Sequence, residues 1–436
     1  MRIGVVTTSY PRFPDDPAGN FVGEHVRALK SLGHEVDVIA AADDEEARVS
    51  CGEDSITRIP SGGLFYTSGA PDLLERGPRR SLSAAALAIR LTAAAFTIRL
   101  TAAVVRRRWD SIIAHWLAPS ALACLPTTAP LLAIAHGGDI HTLRRAGLLA
   151  PALHLLRARD AHLVFVSEHL RSIATAAAPR LATWLARARV QPMGIDLARF
   201  ASIPRTPTNP PTLVIAARLV PIKGIDVAIA ALSHVKHQVR LVIAGEGPEG
   251  SSLRRHAESR GGADQRGAPP VRVGDNDDVT DNNIVIVNNQ RITYRGVEFR
   301  GAIDTRERDR LLATASIVLV PSRVLRSQPH TNVDGSDMTA SRASDDTSAS
   351  PAHDGRSEGT PLIALEALAA GIPVIASDVG GLRELGGVVR VPPDDPRALA
   401  EAIDRVLDAP PTSESLRASV AHLDWRHVIG TLVRNA

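Results

Sequence analysis

Two glutamates, Glu358 and Glu366, stand eight residues apart in the segment EGTPLIALEALAAGIPVIASDVGG, residues 358–381. The residues between them read as the opening of a helix. One carboxylate lies just before that opening and the other about two turns on. A helix start leaves backbone N–H groups unpaired and favours anions. Carboxylates accept hydrogen bonds from hydroxyls. These groups suit a ligand that is part phosphate and part polyhydroxylated sugar, and two solvated glutamates on an amphipathic helix are the plainer alternative. Arg218 and Lys223, in ARLVPIKG, follow a strand in the second half of the chain. A guanidinium fork and an ammonium point charge both suit phosphate oxygens, although such residues in a loop are commonly just solvated. A histidine beside two glycines, His136 in AHGGDIHTL, also ends a strand and reads equally as a satisfied loop residue.

The elements around the glutamates follow from residue type. Gly359, Thr360 and Pro361 make a tight entry, with Pro361 suited to a first helical turn. Ile363, Leu365 and Leu368 alternate with alanines to give an apolar stripe. Gly371 and Pro373 stop the helix, PVIAS follows as a short buried strand, and Gly380 and Gly381 open another turn. Loop, helix, strand and glycine turn in that order describe one rim of a parallel α/β sheet, where ligands bind.

The same alternation runs through the chain. RIGVVTTS, VGEHVRALKSLG and HEVDVIAA read as strand, helix and strand, and WDSIIAHW and PLLAIAHGGD as further strands. AHLVFVSEHLRSIA reads as strand then helix, and VQPMGIDLARF as a strand and a turn. Residues 201–212, ASIPRTPTNPPT, are Pro-rich and aperiodic and make the best linker. Alternation then restarts with TLVIAARL, GIDVAIAALSHV and RLVIAGEGPE, followed by VEFRGAI, RERDRLLATA and SIVLVPS. Two stretches break the pattern. Residues 274–296 are Asn- and Asp-rich and read as a flexible loop followed by a β-hairpin. Residues 326–353 are Ser-, Asp- and Thr-rich and read as a solvated or disordered loop beside Glu358, a position from which they could act as a lid.

Composition sets the outer bounds. A chain of 436 residues exceeds one ordinary core, so two domains are expected. Aromatics are only 3%, which disfavours a nucleic-acid reader built on stacking platforms. A net charge of +3 does not by itself imply a polyanion partner. Cys51 and Cys124 have no metal-ligand spacing and point to a reducing compartment. The N-terminus reads as a first strand, not a signal peptide. SLSAAALAIRLTAAAFTIRLTAAVV is interrupted by Arg90 and Arg99, so it reads as a long amphipathic helix, in the core or on a membrane surface, and not as a span.

On Glu358, Glu366, Gly371 and Pro373 the chain resembles the retaining glycosyltransferases of family 4, a GT-B group. ARLVPIKG, the His136–Asp139 motif, GEGPE and VEFRGAI extend the resemblance over both halves. It implies an α/β GT-B fold, two Rossmann-like domains facing each other across a cleft. Residues 1–200 would form the acceptor side and 201–212 the linker. Residues 213–420 would bind the nucleotide sugar, with insertions near 274–296 and 326–353, and 421–436 would pack back on the first domain.

The resemblance also implies a reaction: retaining, metal-independent transfer of a sugar from a UDP- or GDP-linked donor to a hydroxyl of a glycan or lipid-linked acceptor, in surface polysaccharide or glycoconjugate biosynthesis. No cofactor and no nucleic acid would take part. The enzyme would be cytoplasmic, free or in peripheral contact with the inner face of the membrane. Arg218 and Lys223 would hold the diphosphate and His136 would face the donor sugar, with Asp139 beside it. Glu358 would bind sugar hydroxyls and Glu366 ribose hydroxyls. The backbone at Gly359, Thr360, Pro361 and Leu362 would meet phosphate and sugar, and Gly301 the base. Gly19 either lets the backbone approach a phosphate or is a plain structural glycine, because Asp16 and Pro17 stand near where relatives carry a glycine pair. The departing diphosphate would help deprotonate the acceptor in a front-side transfer. A GT-B-fold epimerase of the sugar nucleotide and a non-catalytic binding homologue are the alternatives.

Overall fold

The computed structural model describes residues 1–42, 55–65, 84–260, 285–286, 291–294, 296–325 and 357–433. Cys51, the loop before the hairpin and the stretch 326–353 lie outside the described residues.

Strands β1 (Arg2–Thr7), β2 (Glu35–Ala42), β3 (Ser55–Pro60), β4 (Ser111–His115), β5 (Leu131–Ala135), β6 (His162–Phe165) and β7 (Arg189–Val190) form one sheet in the order β3-β2-β1-β4-β5-β6-β7. Every pairing in it is parallel. Apolar runs such as SIIAH and LLAIA are buried along their whole length, as strands covered on both faces must be. The register sets His115 opposite Ile134, so the carboxyl ends of β4 and β5 open on one rim.

The second sheet runs β10-β11-β12-β9-β8-β13-β14-β15. Its strands are β8 (Thr212–Ala216), β9 (Arg240–Ala244), β10 (Val285–Ile286), β11 (Arg291–Tyr294), β12 (Val297–Phe299), β13 (Ala315–Val320), β14 (Val374–Ser377) and β15 (Val388–Val391). The five strands β12, β9, β8, β13 and β14 pair in parallel along the order given, as does β15. The hairpin expected in the Asn-rich stretch is present: β10 pairs antiparallel with β11, and β11 with β12, extending one edge. Two sheets with crossover helices, the first wholly parallel and the second parallel except at its β10-β11-β12 edge, give the α/β architecture read from the alternation.

Four local readings are corrected. The helix Leu362–Ala369 is not amphipathic: every residue from Ala364 to Ala370 is buried, Glu366 included, because helix Ser413–Val420 covers it on the side away from the sheet. Pro361 precedes the helix as its cap and is not its first residue. In VQPMGIDLARF only a two-residue strand forms, and Leu197–Ala201 is helical behind the Asp196 cap. The helix Ala84–Val105 is apolar on both faces: Phe96, Leu100 and Val104 enter the first core while Leu91, Ile98 and Val105 are exposed. Among the described residues no helix is long and apolar enough to cross a membrane. The last helix, Trp425–Val433, sends Trp425, Val428, Ile429 and Leu432 into the core of the first sheet, so the chain returns to its first half.

Candidate active site

The loop ARLVPIKG leaves β8 and is laced to the turn after β9. Leu219 N–H donates to the Glu246 carbonyl at 2.8 Å, and Glu249 N–H to the Leu219 carbonyl at 3.0 Å. Gly224 closes the loop at φ +58°, where a Cβ would stand 2.0 Å from the Pro321 carbonyl oxygen. Only glycine fits both the left-handed backbone and the contact. Lys223, one residue earlier, is thereby held beside the end of β13. Its ammonium pairs with the Glu358 carboxylate, and Ser322 Oγ donates to Glu358 Oε2 at 2.9 Å.

Glu358 is placed from behind by Gly380 and Gly381. Gly381 N–H donates to the Glu358 carbonyl at 3.0 Å, and a Cβ on Gly380 would come within 2.2 Å of that same oxygen. The two glycines are therefore spacers that let one backbone run against another. Lys223, Ser322 and Glu358 come from three separate loops at the carboxyl end of one sheet, a cation and an anion held mostly out of water. Losing one partner of such a pair costs more than the pair itself is worth.

Glu366 is buried in its helix and takes Arg308 Nη1 at 2.6 Å. Burial pushes its pKa up to about 7, with the Arg308 charge working against that rise. Both line a cavity of about 790 Å³ between the two sheets, together with Arg218, Glu246, Leu362 and Ile363. Arg12, Asp16 and Phe21 of the first half close its other side. A cavity of this size suits a small organic ligand, and the first turn of the helix Leu362–Ala369, where N–H groups lack intrahelical acceptors, forms part of its wall.

The first-half wall is built on Asp139. Its Oδ1 accepts from the N–H groups of His136 (3.2 Å), Gly137 (3.0 Å) and Ile140 (2.9 Å), and its Oδ2 from Leu117 N–H at 2.7 Å. Both oxygens tie down the loops after β4 and β5, so Asp139 holds the backbone of His136 in place. The His136 ring packs on Phe21 and Trp116 with centroids 5.1 and 5.0 Å away. Trp116, at φ +70°, adopts a backbone conformation that bulky residues avoid, beside the site.

The two walls meet at residues 357–360. Ser357 Oγ lies 2.6 Å from His169 Nε2, and its carbonyl 3.1 Å from His141 Nε2. Thr360 Oγ1 donates to the Val166 carbonyl at 3.3 Å. A Cβ on Gly359 would lie 3.5 Å from the His136 carbonyl oxygen, so the backbones of Gly359 and His136 are neighbours. Glu384 adds a cap, accepting from Glu168 N–H (2.7 Å) and His169 N–H (2.9 Å) at the start of a first-half helix.

The sequence-derived residues thus fall in two adjoining groups. Arg218, Leu362 and Glu366 line the cavity, and Lys223, Glu358, Gly359, Thr360 and His136 sit at the junction. Gly301 ends β12 at φ +65° and its carbonyl accepts from Gly245 N–H at 2.6 Å, beside the cavity-lining Ala302. Gly19, at φ +68°, packs where a Cβ would be 2.5 Å from the Ser9 carbonyl, so the fold itself requires glycine there. Pro361 has no N–H to offer. His141 is buried, its Nε2 3.1 Å from the Ser357 carbonyl. Arg308 and His115 carry no local signal. Arg308 reads as one arginine in a charged helix, and His115 as the end of an apolar strand.

Comparison with known proteins bears on the family and the fold. Residues 199–267 and 268–409 each match a family described as glycosyl transferases group 1. A glycogen synthase of Mycobacterium tuberculosis is 26% identical over 98% of this chain and 92% of its own length. A GDP-mannose-dependent alpha-(1-6)-phosphatidylinositol monomannoside mannosyltransferase of the same organism is 29% identical over 50% of this chain and 44% of its own. The structure of HepE of Anabaena in complex with UDP and glucose superimposes with a TM-score of 0.64 at 15% identity, covering 100% of this chain and 99% of that one. The chain carries glycosyl transferases group 1 domains on a GT-B fold, and it is a glycosyltransferase.

Proposed function

We propose that this enzyme transfers a sugar from a UDP- or GDP-linked donor to a hydroxyl of a glycan or lipid-linked acceptor, with retention of anomeric configuration and without a metal, in surface polysaccharide or glycoconjugate biosynthesis. The observation that carries the reading is the Lys223–Ser322–Glu358 cluster, whose Glu358 precedes Gly359 beside the backbone of His136. The nucleoside occupies the cavity, where Glu366 accepts from ribose hydroxyls and Gly301 flanks the base. Arg218 and Lys223 compensate the diphosphate, so no metal is needed for its departure. Glu358 accepts from sugar hydroxyls, and the backbone from Gly359 to Leu362 meets the sugar and phosphate.

In the reaction the bond from the anomeric carbon to the diphosphate oxygen breaks and a bond to the acceptor oxygen forms on the same face. The acceptor proton passes to the departing diphosphate, and Lys223 moves from Glu358 toward the charge that develops there. The donor reading draws support from HepE, solved with UDP and glucose, and from the relative named for GDP-mannose. The exposed Leu91, Ile98 and Val105, flanked by exposed Arg90, Arg99 and Arg106, support a peripheral contact with an anionic membrane surface.

The test is a thermal-shift panel of nucleotide sugars, in which the true donor stabilises by mass action. The best donor is then turned over with a hydroxyl acceptor and the anomeric configuration of the product read by NMR. An inverted product, or activity abolished by chelation and restored by a divalent ion, overturns the mechanism. A donor isomerised without acceptor would make the protein an epimerase.

A further inference from the structure

Three histidine rings run in line from the junction into the first core. His136 Nε2 lies 3.0 Å from His115 Nδ1, and His115 Nε2 lies 3.1 Å from His25 Nδ1. The rings come from three elements, the ends of β5 and β4 and the helix Asn20–Ser31. At the inner end His25 stacks on Trp425, centroids 4.9 Å apart and planes 12° from parallel. There His25 Nε2 is sealed, with no hydrogen-bond partner. At the outer end His136 Nδ1 is not among the sealed atoms.

Burial keeps all three rings neutral: it pushes the pKa of His25 and of His136 down to about 3 and that of His115 well below the ordinary histidine value. A neutral imidazole carries one N–H and one bare nitrogen. Each ring-to-ring contact needs one of each. Three neutral rings in this order therefore have only two arrangements, all protonated at Nδ1 or all at Nε2. Any mixture sets two N–H groups or two lone pairs against each other. The all-Nε2 arrangement buries the His25 N–H with no acceptor, and orphaned buried N–H groups are the rarer and costlier defect. The all-Nδ1 arrangement leaves only a bare ring nitrogen there.

We propose that His115 and His25 are positioning residues that hold His136 as its Nδ1–H tautomer, so that the cleft receives a hydrogen-bond donor from this ring and never a lone pair. The proposal deepens the glycosyltransferase reading and rests on it for the use of that donor. An N–H facing a donor-sugar or departing phosphate oxygen strengthens as negative charge develops, whereas a lone pair there would repel it. Reversing the tautomer would require three protons to shift together, so the setting is stiffer than one hydrogen bond could make it.

The experiment labels the full chain with ¹⁵N-histidine, without donor or acceptor, and assigns the rings with His25→Phe, His115→Phe and His136→Phe. Expected are three rings protonated at Nδ1 and bare at Nε2, unchanged from pH 8 to pH 5. A wild-type His136 protonated at Nε2 overturns the proposal, and this spectrum decides even if a variant does not fold. His115→Phe keeps a ring against Phe21 and Trp116 but removes both nitrogens. It should release His136 into mixed tautomers and lower kcat about tenfold, one hydrogen bond's worth, with donor KM little changed. His115→Asn, whose amide can donate where Nδ1 did, should restore most of kcat. A His115→Phe enzyme with wild-type kcat, or an Asn variant as slow as the Phe variant, would show packing alone to be at work and overturn the proposal. Because the spectrum needs no substrate, a wild type that turns over no nucleotide sugar would sink the donor reading while leaving the tautomer result in place.

Discussion

The two walls of the cleft solve opposite electrostatic problems. The second-half wall is made of paired charges: Lys223 with Glu358, Arg308 with Glu366, and Arg323 with Asp226. The first-half wall around His136 is an array of imidazole, indole and phenyl rings in which burial holds His115 and His136 uncharged. A charged wall can bind and release a diphosphate by exchanging partners. A neutral wall offers directed hydrogen bonds without competing for that charge. On the proposed mechanism, leaving-group stabilisation falls to one half and orientation of sugar and acceptor to the other.

The largest expected effect breaks the charged wall. Lys223→Ala should lower kcat about 10²- to 10³-fold, the usual scale for losing one preorganised electrostatic contact at a transition state. Steady-state donor consumption checks it, with circular dichroism as the folding control. A variant within a few-fold of wild type would mean that charge is handled elsewhere. Next comes the scaffold behind that wall. Gly224→Ala adds a Cβ against the Pro321 carbonyl at φ +58° and should cost about 2–4 kcal/mol of stability in urea unfolding. Gly33→Ala, also at positive φ but with open space around it, should cost only about 1 kcal/mol.

Glu366 sharpens the comparison, because it is a single buried carboxylate whose charge is in balance. Its pKa rises from 4.5 unfolded to about 7 folded. Between those values the folded state holds more protons than the unfolded state, so its contribution to stability is full below pH 4.5 and is lost as pH rises to about 7. Glu366→Gln should remove that loss in melts across the range, and should raise donor KM about tenfold if the carboxylate binds ribose. An unaltered pH profile would place the titration elsewhere. The smallest effect concerns the outer face of the first half. Leu91→Ser with Ile98→Ser should leave turnover of a soluble acceptor unchanged and weaken sedimentation with anionic vesicles severalfold.

Much of the charged wall was legible in the chain because its parts sit in short segments with local causes. The glycines at 224, 380 and 381 are where backbones must touch; Lys223 stands one residue before Gly224, and Glu358 four residues before the helix Leu362–Ala369. The partners were not legible. Arg308 meets Glu366 across 58 residues and His115 meets His136 across 21, and neither helix charge pattern nor strand periodicity encodes such a meeting. Asp139 shows the limit in the other direction. Its motif does not show the four backbone N–H groups that its two oxygens accept from, because loops entering a parallel sheet must satisfy their own donors. The buried helix Leu362–Ala369 was misread for a related reason. A run of Ala and Leu cannot say whether its outer side meets water or the helix Ser413–Val420.

By itself, then, the sequence determined the alternation of strands and helices, the α/β class and the carboxylates and cations able to hold a sugar phosphate, since periodicity and glycine placement are local consequences of backbone geometry. Only the tertiary structure decided which charges pair and which histidine rings stand in line with His136. Those choices depend on strand register and on how the two sheets approach, and a burial that turns a charged group into a neutral one exists only once both halves are in place.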